Sequence, residues 1–134
     1  MKETKIYNIT QNFELNSIEE YPSLSPFIKL AFDILTKEPL VSVTFASSQS
    51  YVTPYAVIAV SNSAKQIDAI TSNFIKQLKE QNLFNLKIKI DGNGERGWCI
   101  IDLINCFFHI MTEEKFAKYE LEKILKGDYS ENLF

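Results

Sequence analysis

The feature that most constrains the fold is a pair of apolar segments near the C-terminal end of the chain. Residues 98–103 (WCIIDL) and 106–111 (CFFHIM) are rich in the aromatic and β-branched residues that favour strands, and only two residues separate them. This spacing predicts a β-hairpin with a two-residue turn. Counting outwards from the turn pairs Trp98 with Met111 and gives each residue of the hairpin a partner on the other strand.

Alternation of side chains along a strand divides this hairpin into two faces. One face is wholly apolar, so we expect it to pack under helices; it carries Cys99, Ile101, Leu103, Cys106, Phe108 and Ile110. The other face mixes large apolar groups with two titratable ones; it carries Trp98, Ile100, Asp102, Phe107, His109 and Met111. Three explanations of the mixed face stay open. The first is that the N-terminal part of the chain covers this face, and the second is that the face is an active site. The third is that it is a docking surface, since Trp, Phe and Met are enriched where proteins meet.

Hydrophobic periodicity predicts three helices and three further strands around the hairpin. The helices are expected over residues 25–38, 64–81 and 112–126, and the strands over residues 40–45, 55–60 and 86–90. Ser63, with Gln66 three residues later, has the spacing of a capping box at the start of the second helix. The order α-β-β-α-β-β-β-α predicts an α/β (α+β) fold, with helices packed on a mixed sheet of about five strands.

Apolar positions within these elements predict which side chains enter the core. The first helix carries an apolar stripe formed by Phe27, Leu30, Ala31, Ile34 and Leu35. The strand over residues 40–45 turns Val41, Val43 and Phe45 to one side, and the strand over residues 86–90 turns Leu86, Ile88 and Ile90 inward. We expect these positions to join the apolar face of the hairpin in one core.

The chain has 134 residues, which most simply form one domain. Residues 1–24 show weak periodicity and are predicted to be an N-terminal extension with room for a short strand or helix. Residues 25–127 are predicted to form the domain, because the three helices and the five strands fall within them. Residues 128–134 are predicted to be a C-terminal tail.

Composition argues against several classes of partner. The net charge is −3 and the lysines are scattered, whereas a general nucleic-acid binder would show a basic stripe. No apolar run approaches the ~20 residues that cross a bilayer, and the N-terminus lacks the features of a targeting signal. Cys99 and Cys106 lack CxxC spacing, and one histidine is too few for a usual zinc set. We therefore expect a cytoplasmic protein with buried, reduced thiols and no metal.

Catalytic chemistry is poorly supported by the residue pattern. Asp102 and His109 share the mixed face, but a His–Asp pair needs a nucleophile within reach, and Cys106 points to the opposite face. No D-x-D pair is present for two-metal phosphoryl transfer, and no Walker loop, GxGxxG or nucleophile elbow occurs. The pattern therefore predicts neither a catalytic set nor a cofactor site.

Several segments, in this order, resemble motifs of a known family. YAVIAVSNSAKQIDAI is similar to the family's D-Y-F-V-I-A-T-G-N-S followed by Q-V-x-A-I, and GWCIIDL to its W-V-x-x-D-x-G-D. HIM is similar to V-H-V-F or V-H-V-M, and KYELEKIL to Y-x-L-E-x-L-W. From Val41 to Lys126, roughly two-thirds of its length, the chain thus resembles the ribosomal silencing factors, also called the RsfS or Iojap family.

The resemblance implies a nucleotidyltransferase-like fold without catalytic residues, and a protein that is no enzyme and needs no cofactor. It also implies binding to the fourteenth protein of the large ribosomal subunit, which sterically blocks joining of the small subunit and represses translation. The positions matching the family's contacts are Trp98, Asp102 and Leu103, with Phe107 and His109 as neighbours. We expect Trp98 to be an anchor and Asp102 to pair with a basic group of the ribosomal protein.

Departures from the family pattern suggest a divergent member. They are Pro54 for an acidic residue, Val60-Ser61 for Thr-Gly, Ile104-Asn105 for Gly-Asp at the hairpin turn, and Leu125 for a final Trp. A purely structural role also stays open for three of the contact residues. Trp98 could be a core residue, Asp102 could cap the turn, and His109 could be a structural histidine. Two other functions remain alternatives, a nucleotidyltransferase-like enzyme and a self-associating scaffold whose mixed face forms a homodimer.

Overall fold

A computed structural model describes residues 5–9, 26–47, 55–81, 88–103, 106–120 and 123–124 of the chain. Six strands and three helices lie in these ranges. In chain order they are β1 (Lys5–Ile9), α1 (Pro26–Thr36), β2 (Ser42–Ser47), β3 (Tyr55–Ser61), α2 (Ala64–Glu80), β4 (Lys89–Asn93), β5 (Trp98–Leu103), β6 (Cys106–Thr112) and α3 (Glu113–Tyr119). The predicted turn at residues 104–105 and the predicted tail at residues 128–134 lie outside the described residues. Within those ranges, no helix combines the length and the hydropathy needed to cross a bilayer.

All six strands belong to one mixed sheet in the order β1-β2-β3-β6-β5-β4. The β3–β6 pair is parallel and the other four pairs are antiparallel. Helix α2 connects β3 to β4, which run in the same direction but are separated by β6 and β5. The predicted mixed α+β sheet is confirmed, and it gains one strand because Lys5–Ile9, within the predicted extension, pairs with β2.

The predicted register of the hairpin is confirmed at every described pair of β5 and β6. Trp98 pairs with Met111, and Asp102 pairs with Phe107. The apolar face of the hairpin packs beneath α1 and α2, where its six side chains are at most 2% exposed. Burial of this face removes a large apolar area from water, which is the main stabilising contribution to such a fold.

Helix α2 begins and ends close to its predicted bounds. The Ser63 hydroxyl accepts a hydrogen bond from the Gln66 backbone N–H at 3.3 Å, which satisfies one of the free donors at the helix start. Its buried side is formed by Ile67, Ile70, Thr71, Phe74 and Leu78. The i, i+3, i+7 spacing of the apolar members explains why one side of the helix meets the sheet.

Helix α1 turns a slightly different side to the core from the one predicted. Ile28 and Phe32, which were not assigned to the stripe, are 0% and 1% exposed, whereas Leu30 is only partly buried. Ile28, Ala31, Phe32 and Leu35 follow the i, i+3, i+4, i+7 pattern of a buried helix face. The apolar residues occupy more than half of this helix, so periodicity alone left the direction of its buried side ambiguous.

Three predicted elements need correction. Strand β2 is displaced by two residues, and Val41, expected on its inner side, precedes it and is 43% exposed. Strand β4 spans Lys89–Asn93 instead of residues 86–90. Ile90 lies on the α2 side of the sheet as expected, opposite Ile101, but it is 45% exposed because β4 is the edge strand and α2 does not cover it fully. The third helix, predicted to run to residue 126, is interrupted after Tyr119 at Glu120, which has φ 59° and ψ 140°, and residues 123–124 are helical again. A backbone with these angles cannot continue an α-helix.

Candidate functional site

The mixed face of the hairpin is covered by the chain that follows it. Thr112 ends β6 and caps α3, with its hydroxyl accepting a hydrogen bond from the Lys115 backbone N–H at 3.2 Å. Glu113 and Glu114 fill the first turn of α3, where carboxylates interact favourably with the helix dipole. The chain therefore passes directly from the sheet into a short helix that lies over the mixed face.

A second apolar cluster forms between this face and its cover. Its buried members are Ala56, Ile58, Trp98, Ile100, Met111 and Ile124, and Phe107, Phe116 and Tyr119 pack against them while partly buried. The members come from β3, β5, β6, α3 and the segment after α3. The sheet consequently has an apolar layer on each side, the larger one beneath α1 and α2 and the smaller one beneath α3.

Trp98 lies at the centre of this second cluster and is 0% exposed. Its indole Nε1–H donates a hydrogen bond to Nδ1 of His109 at 3.0 Å. The Tyr119 ring packs on the indole with 5.1 Å between ring centroids. The buried indole thus has the partner that its polar N–H requires.

His109 must be neutral to accept this hydrogen bond at Nδ1. The side chain is 1% exposed, and burial lowers the pKa of His109 from its ordinary value to about 3. The cause is desolvation, since burial disfavours the charged imidazolium relative to the neutral imidazole. The pair of Trp98 and His109 therefore forms a buried, uncharged polar contact inside an apolar cluster.

Burial changes the interpretation of three predicted contact residues. The expectation that Trp98 is an accessible anchor is wrong, because α3 and Ile124 enclose its indole. Leu103 is 1% exposed in the core beneath α1 and α2, and His109 is equally buried on the other side. In the part of the chain that the structure describes, the mixed face is thus covered by α3 and Ile124. The explanation that the N-terminal extension covers it concerns residues that mostly lie outside the described ranges. Binding of a partner by these residues remains an untested prediction.

Asp102 and Phe107 are the two predicted contact residues that keep an accessible surface. They lie directly opposite each other on β5 and β6, and both are half-buried. Lys89, which is exposed, lies opposite Asp102 on β4. The three side chains therefore form a row across three strands on the α3 side of the sheet. We call this row of Lys89, Asp102 and Phe107 the hairpin patch.

The hairpin patch is supported from below by the buried pair. The Phe107 ring meets the His109 ring edge-on, with 6.1 Å between centroids. His109 is in turn held by the indole N–H of Trp98. A chain of ring contacts thus runs from the buried indole to the partly exposed phenyl group, so Phe107 packs on residues that are themselves buried.

The titratable groups around the hairpin differ in their burial. Cys99 and Cys106 are buried and carry no disulfide, and burial raises the pKa of both thiols, which disfavours the reactive thiolate. Among the residues that the structure describes, no three His, Cys, Asp or Glu side chains converge as metal ligands. The accessible groups of the hairpin patch are a carboxylate, an ammonium group and an aromatic ring. Of these, the aromatic ring belongs to the class of side chain that is enriched at protein contacts.

Sequence reasoning missed the residues that cover the indole. Phe116 and Tyr119 are three positions apart in α3, and this apolar spacing could have indicated that α3 needs a surface on which to pack. No comparable signal marks the end of α3 at Glu120, because glutamate is an ordinary helix residue. The sequence therefore contains no sign that Ile124, beyond that break, is buried in the second cluster.

Comparison with known proteins agrees with this architecture. The family model described as "Ribosomal silencing factor during starvation" (RsfS) matches residues 23–132. The ribosomal silencing factor RsfS of Bacillus subtilis is 33% identical over 75 residues, which cover 56% of this chain and 62% of that protein. The RsfS protein of Haemophilus influenzae is 26% identical over 76 residues, which cover 57% of this chain and 72% of that protein.

The similarity extends to solved structures. A crystal structure from Bacillus halodurans has a TM-score of 0.58 at 26% identity and covers 72% of this chain and 90% of its own. A crystal structure from Chromobacterium violaceum has a TM-score of 0.59 at 16% identity and shares the fold. The match covers 84% of this chain and 87% of that one. The chain spans about three fifths of the length of the curated relatives from Bacillus subtilis and Halalkalibacterium halodurans, 62% in each case. Since the family model matches well over half of the residues, the chain belongs to the ribosomal silencing factor (RsfS) family.

Proposed function

We propose that this protein represses translation in the cytoplasm by binding the large ribosomal subunit and obstructing the small subunit. The family match over residues 23–132 carries the proposal, because the matched relatives are named ribosomal silencing factors. The partner on the subunit is the fourteenth large-subunit protein, as the resemblance implies. The action is steric, so it requires the protein to occupy the surface on which the small subunit docks, and it requires no cofactor.

The hairpin patch is the proposed contact surface. Asp102 offers a carboxylate that a basic side chain of the ribosomal protein can approach, because it is half-buried and not enclosed. Phe107 adds an aromatic surface directly beside it. A charged group next to a ring, held on rigid strands, is the arrangement that gives protein contacts both orientation and affinity.

Trp98, His109 and Leu103 are proposed to act as positioning residues. The indole–imidazole hydrogen bond and the ring contact to Phe107 hold the patch from beneath on the α3 side. Leu103 anchors the end of β5 in the opposite core, next to Asp102. All three are therefore expected to affect binding through the order of the hairpin and not by touching the ribosome.

Binding to isolated ribosomal subunits tests the proposal. The wild-type protein is expected to pellet with large subunits and to remain in the supernatant with small subunits. Asp102→Lys reverses the charge at the patch and should weaken binding by ~10-fold or more, which corresponds to about 1.4 kcal/mol. Glu95→Lys is the matched control, since Glu95 is exposed in the turn at the opposite end of β5 and carries the same charge change.

Two results would contradict the proposal, and they separate its parts. A wild-type protein that fails to pellet with large subunits would overturn the silencing function itself. Equal affinities for the wild type and for Asp102→Lys, with an unchanged circular dichroism spectrum, would leave the function standing but exclude the hairpin patch as the contact surface.

A further inference from the structure

A groove opens between α2 and the edge strand β4, and the proposed function does not use it. Its volume is about 630 Å³, which is within the range of ~300–1,000 Å³ typical of sites for small molecules. Ile90 of β4 lines the groove and lies opposite Ile101, whose side chain is buried beneath α1 and α2. The groove is therefore on the α2 side of the sheet, whereas the hairpin patch is on the α3 side.

One end of the groove is closed by a packed contact between α2 and the β4–β5 turn. The Asp68 carboxylate accepts a hydrogen bond from the Gly94 backbone N–H at 2.8 Å. Gly94 also lies so close to Ala64 that a Cβ at this position would collide with the Ala64 carbonyl oxygen. Farther along α2, the helix and the strand are not packed together in this way, since Ile90 is 45% exposed. The space between them consequently opens towards the C-terminal end of α2.

The interior of the groove is mainly apolar. Ile90 lines it from the strand, and Thr71 and Ile75 line it from the helix. Thr71 is buried and Ile75 is half-buried. Apolar groups of a ligand that enter such a space leave water, which is favourable in proportion to the area that they bury.

Two ammonium groups lie at the open end of the groove. Lys76 and Lys79 line it and are both exposed, and Glu80 beside them supplies one carboxylate. These three groups leave a net charge of +1, although the whole chain has a net charge of −3. Thr71, Ile75 and Lys79 follow one another at intervals of four residues, so they form one row along α2 from the closed end to the open end. The row passes from apolar groups to a cationic one.

We propose that the groove binds a small anionic amphiphile, a molecule with a linear apolar chain and one carboxylate, of which decanoate is a representative. The chain lies along Ile75 and Ile90 and points towards Thr71, while the carboxylate meets the ammonium groups of Lys76 and Lys79. From Thr71 to Lys79, α2 rises by about 12 Å, which is close to the extended length of a ten-carbon chain. The inference concerns the groove alone and does not rest on ribosome binding.

Charge and shape distinguish this ligand from other occupants. The closed end at Gly94 limits the length of what the groove holds, which favours a small molecule over a peptide that runs through it. A neutral or cationic amphiphile would fill the apolar interior but leave Lys76 and Lys79 without a counter-charge. Decanoate has about a dozen non-hydrogen atoms, so we expect a dissociation constant on the order of 0.1–1 mM.

Titration of the isotope-labelled full chain with decanoate, followed by amide NMR spectra, tests the proposal. The backbone amides of Thr71, Ile75, Lys79 and Ile90 should shift together and saturate with a dissociation constant in that range. Decyltrimethylammonium has the same ten-carbon chain with a positive head group and should bind ~10-fold more weakly or not at all. Hexaglutamate carries negative charge without the apolar chain and should leave these amides unmoved.

Two substitutions test the charged and the apolar part of the site. Lys79→Glu should weaken decanoate binding by ~5-fold or more. Lys65→Glu is the matched control, because it makes the same charge change on the same helix about 21 Å away, beyond the screening length of ~8 Å at physiological salt. Ile90→Asp places a carboxylate against the chain and should abolish the shifts, whereas Val41→Asp, at a similarly exposed position outside the groove, should leave them unchanged.

Circular dichroism checks that each variant is folded, and the comparison of ligands needs only the wild type. Absent shifts in the groove at ~5 mM decanoate, equal affinities for decanoate and decyltrimethylammonium, equal shifts with hexaglutamate, or an unchanged affinity of Lys79→Glu would each overturn the proposal. Groove amides that move with protein concentration and not with decanoate would show that a second copy fills the groove, and they would overturn it as well.

Discussion

Replacement of Trp98 by alanine should destabilise the fold strongly, because the structure makes this residue part of the core. The indole is 0% exposed and lies among Ile58, Ile100 and Met111. Removal of a fully buried tryptophan leaves a cavity that the surrounding structure fills only partly, at a cost of about 3–5 kcal/mol. A residue that served as an exposed anchor would show no such loss.

A second cost comes from the hydrogen bond that the indole donates. Nδ1 of His109 loses its donor at 3.0 Å while the imidazole stays buried, and an unmet buried acceptor costs about 1–3 kcal/mol. The two contributions overlap, so we expect a total loss of at least ~4 kcal/mol in the free energy of unfolding. Trp98→Phe keeps most of the ring and should lose about 1–3 kcal/mol, mainly through the missing donor.

Urea unfolding followed by far-ultraviolet circular dichroism measures these losses. Trp98 is the single tryptophan of the chain, so its fluorescence cannot report on the alanine variant. Val41→Ala is the control, because a side chain that is 43% exposed outside the core should change stability by less than ~0.5 kcal/mol. A Trp98→Ala protein that loses less than ~1 kcal/mol would refute the assignment of the indole to the core.

Three further predictions follow from single contacts. The pKa of His109 is about 3 in the folded protein and lies near 6.5 in the unfolded chain, so the unfolded state takes up the proton first as the pH falls. The contribution of this group to stability is therefore full above pH ~6.5, and the free energy of unfolding should fall by up to ~1.4 kcal/mol per pH unit below it. His109→Phe should reduce that slope in urea titrations at pH 7, 5.5 and 4.5. Gly94→Ala brings a Cβ against the Ala64 carbonyl oxygen, so the β4–β5 turn must move off α2. We expect a loss of about 2 kcal/mol by thermal unfolding, and an unchanged melting temperature would exclude that contact. Ser63→Ala removes the acceptor for the Gln66 N–H and should lower the free energy of unfolding by about 1 kcal/mol, measured by thermal unfolding. Asn62→Ala, at the preceding exposed position, is the control and should change it by less than ~0.5 kcal/mol.

Local patterns predicted the strands and helices wherever one periodicity dominates. The hairpin register is correct because alternation and turn length leave a single way to pair β5 with β6. Helix α2 is correct to one residue because Ser63 marks its start and one apolar side runs along it. The mixed sheet followed from the chain order of strands and helices, since a helical crossover returns the next strand in the same direction.

Properties that depend on long-range packing were not predictable in this way. Alternation gives Ile90 an inward direction, but it does not reveal that β4 lies at the sheet edge, where α2 leaves it exposed. The mixed face was identified correctly, yet nothing in β5 or β6 shows that α3 folds over it. The backbone angles at Glu120, which interrupt the third helix, have no local sequence signal, because glutamate is an ordinary helix residue.

The same distinction applies to the candidate site. Motif resemblance indicated Trp98, Asp102 and Leu103 as a group, because they lie close together in one strand. Packing separates them, since only Asp102 retains an accessible surface. Burial thus leaves Asp102 accessible and places Trp98 and Leu103 inside the fold, while contact of this region with a partner stays a prediction.

Subunit joining is the most direct test of the proposed function. Isolated large and small subunits, mixed under conditions that favour joining and separated on a sucrose gradient, report the fraction of joined ribosomes. The account predicts that an excess of this protein lowers that fraction and travels with the free large subunit, while Asp102→Lys at the same concentration has little effect. Undiminished joining in the presence of excess folded wild-type protein would contradict it.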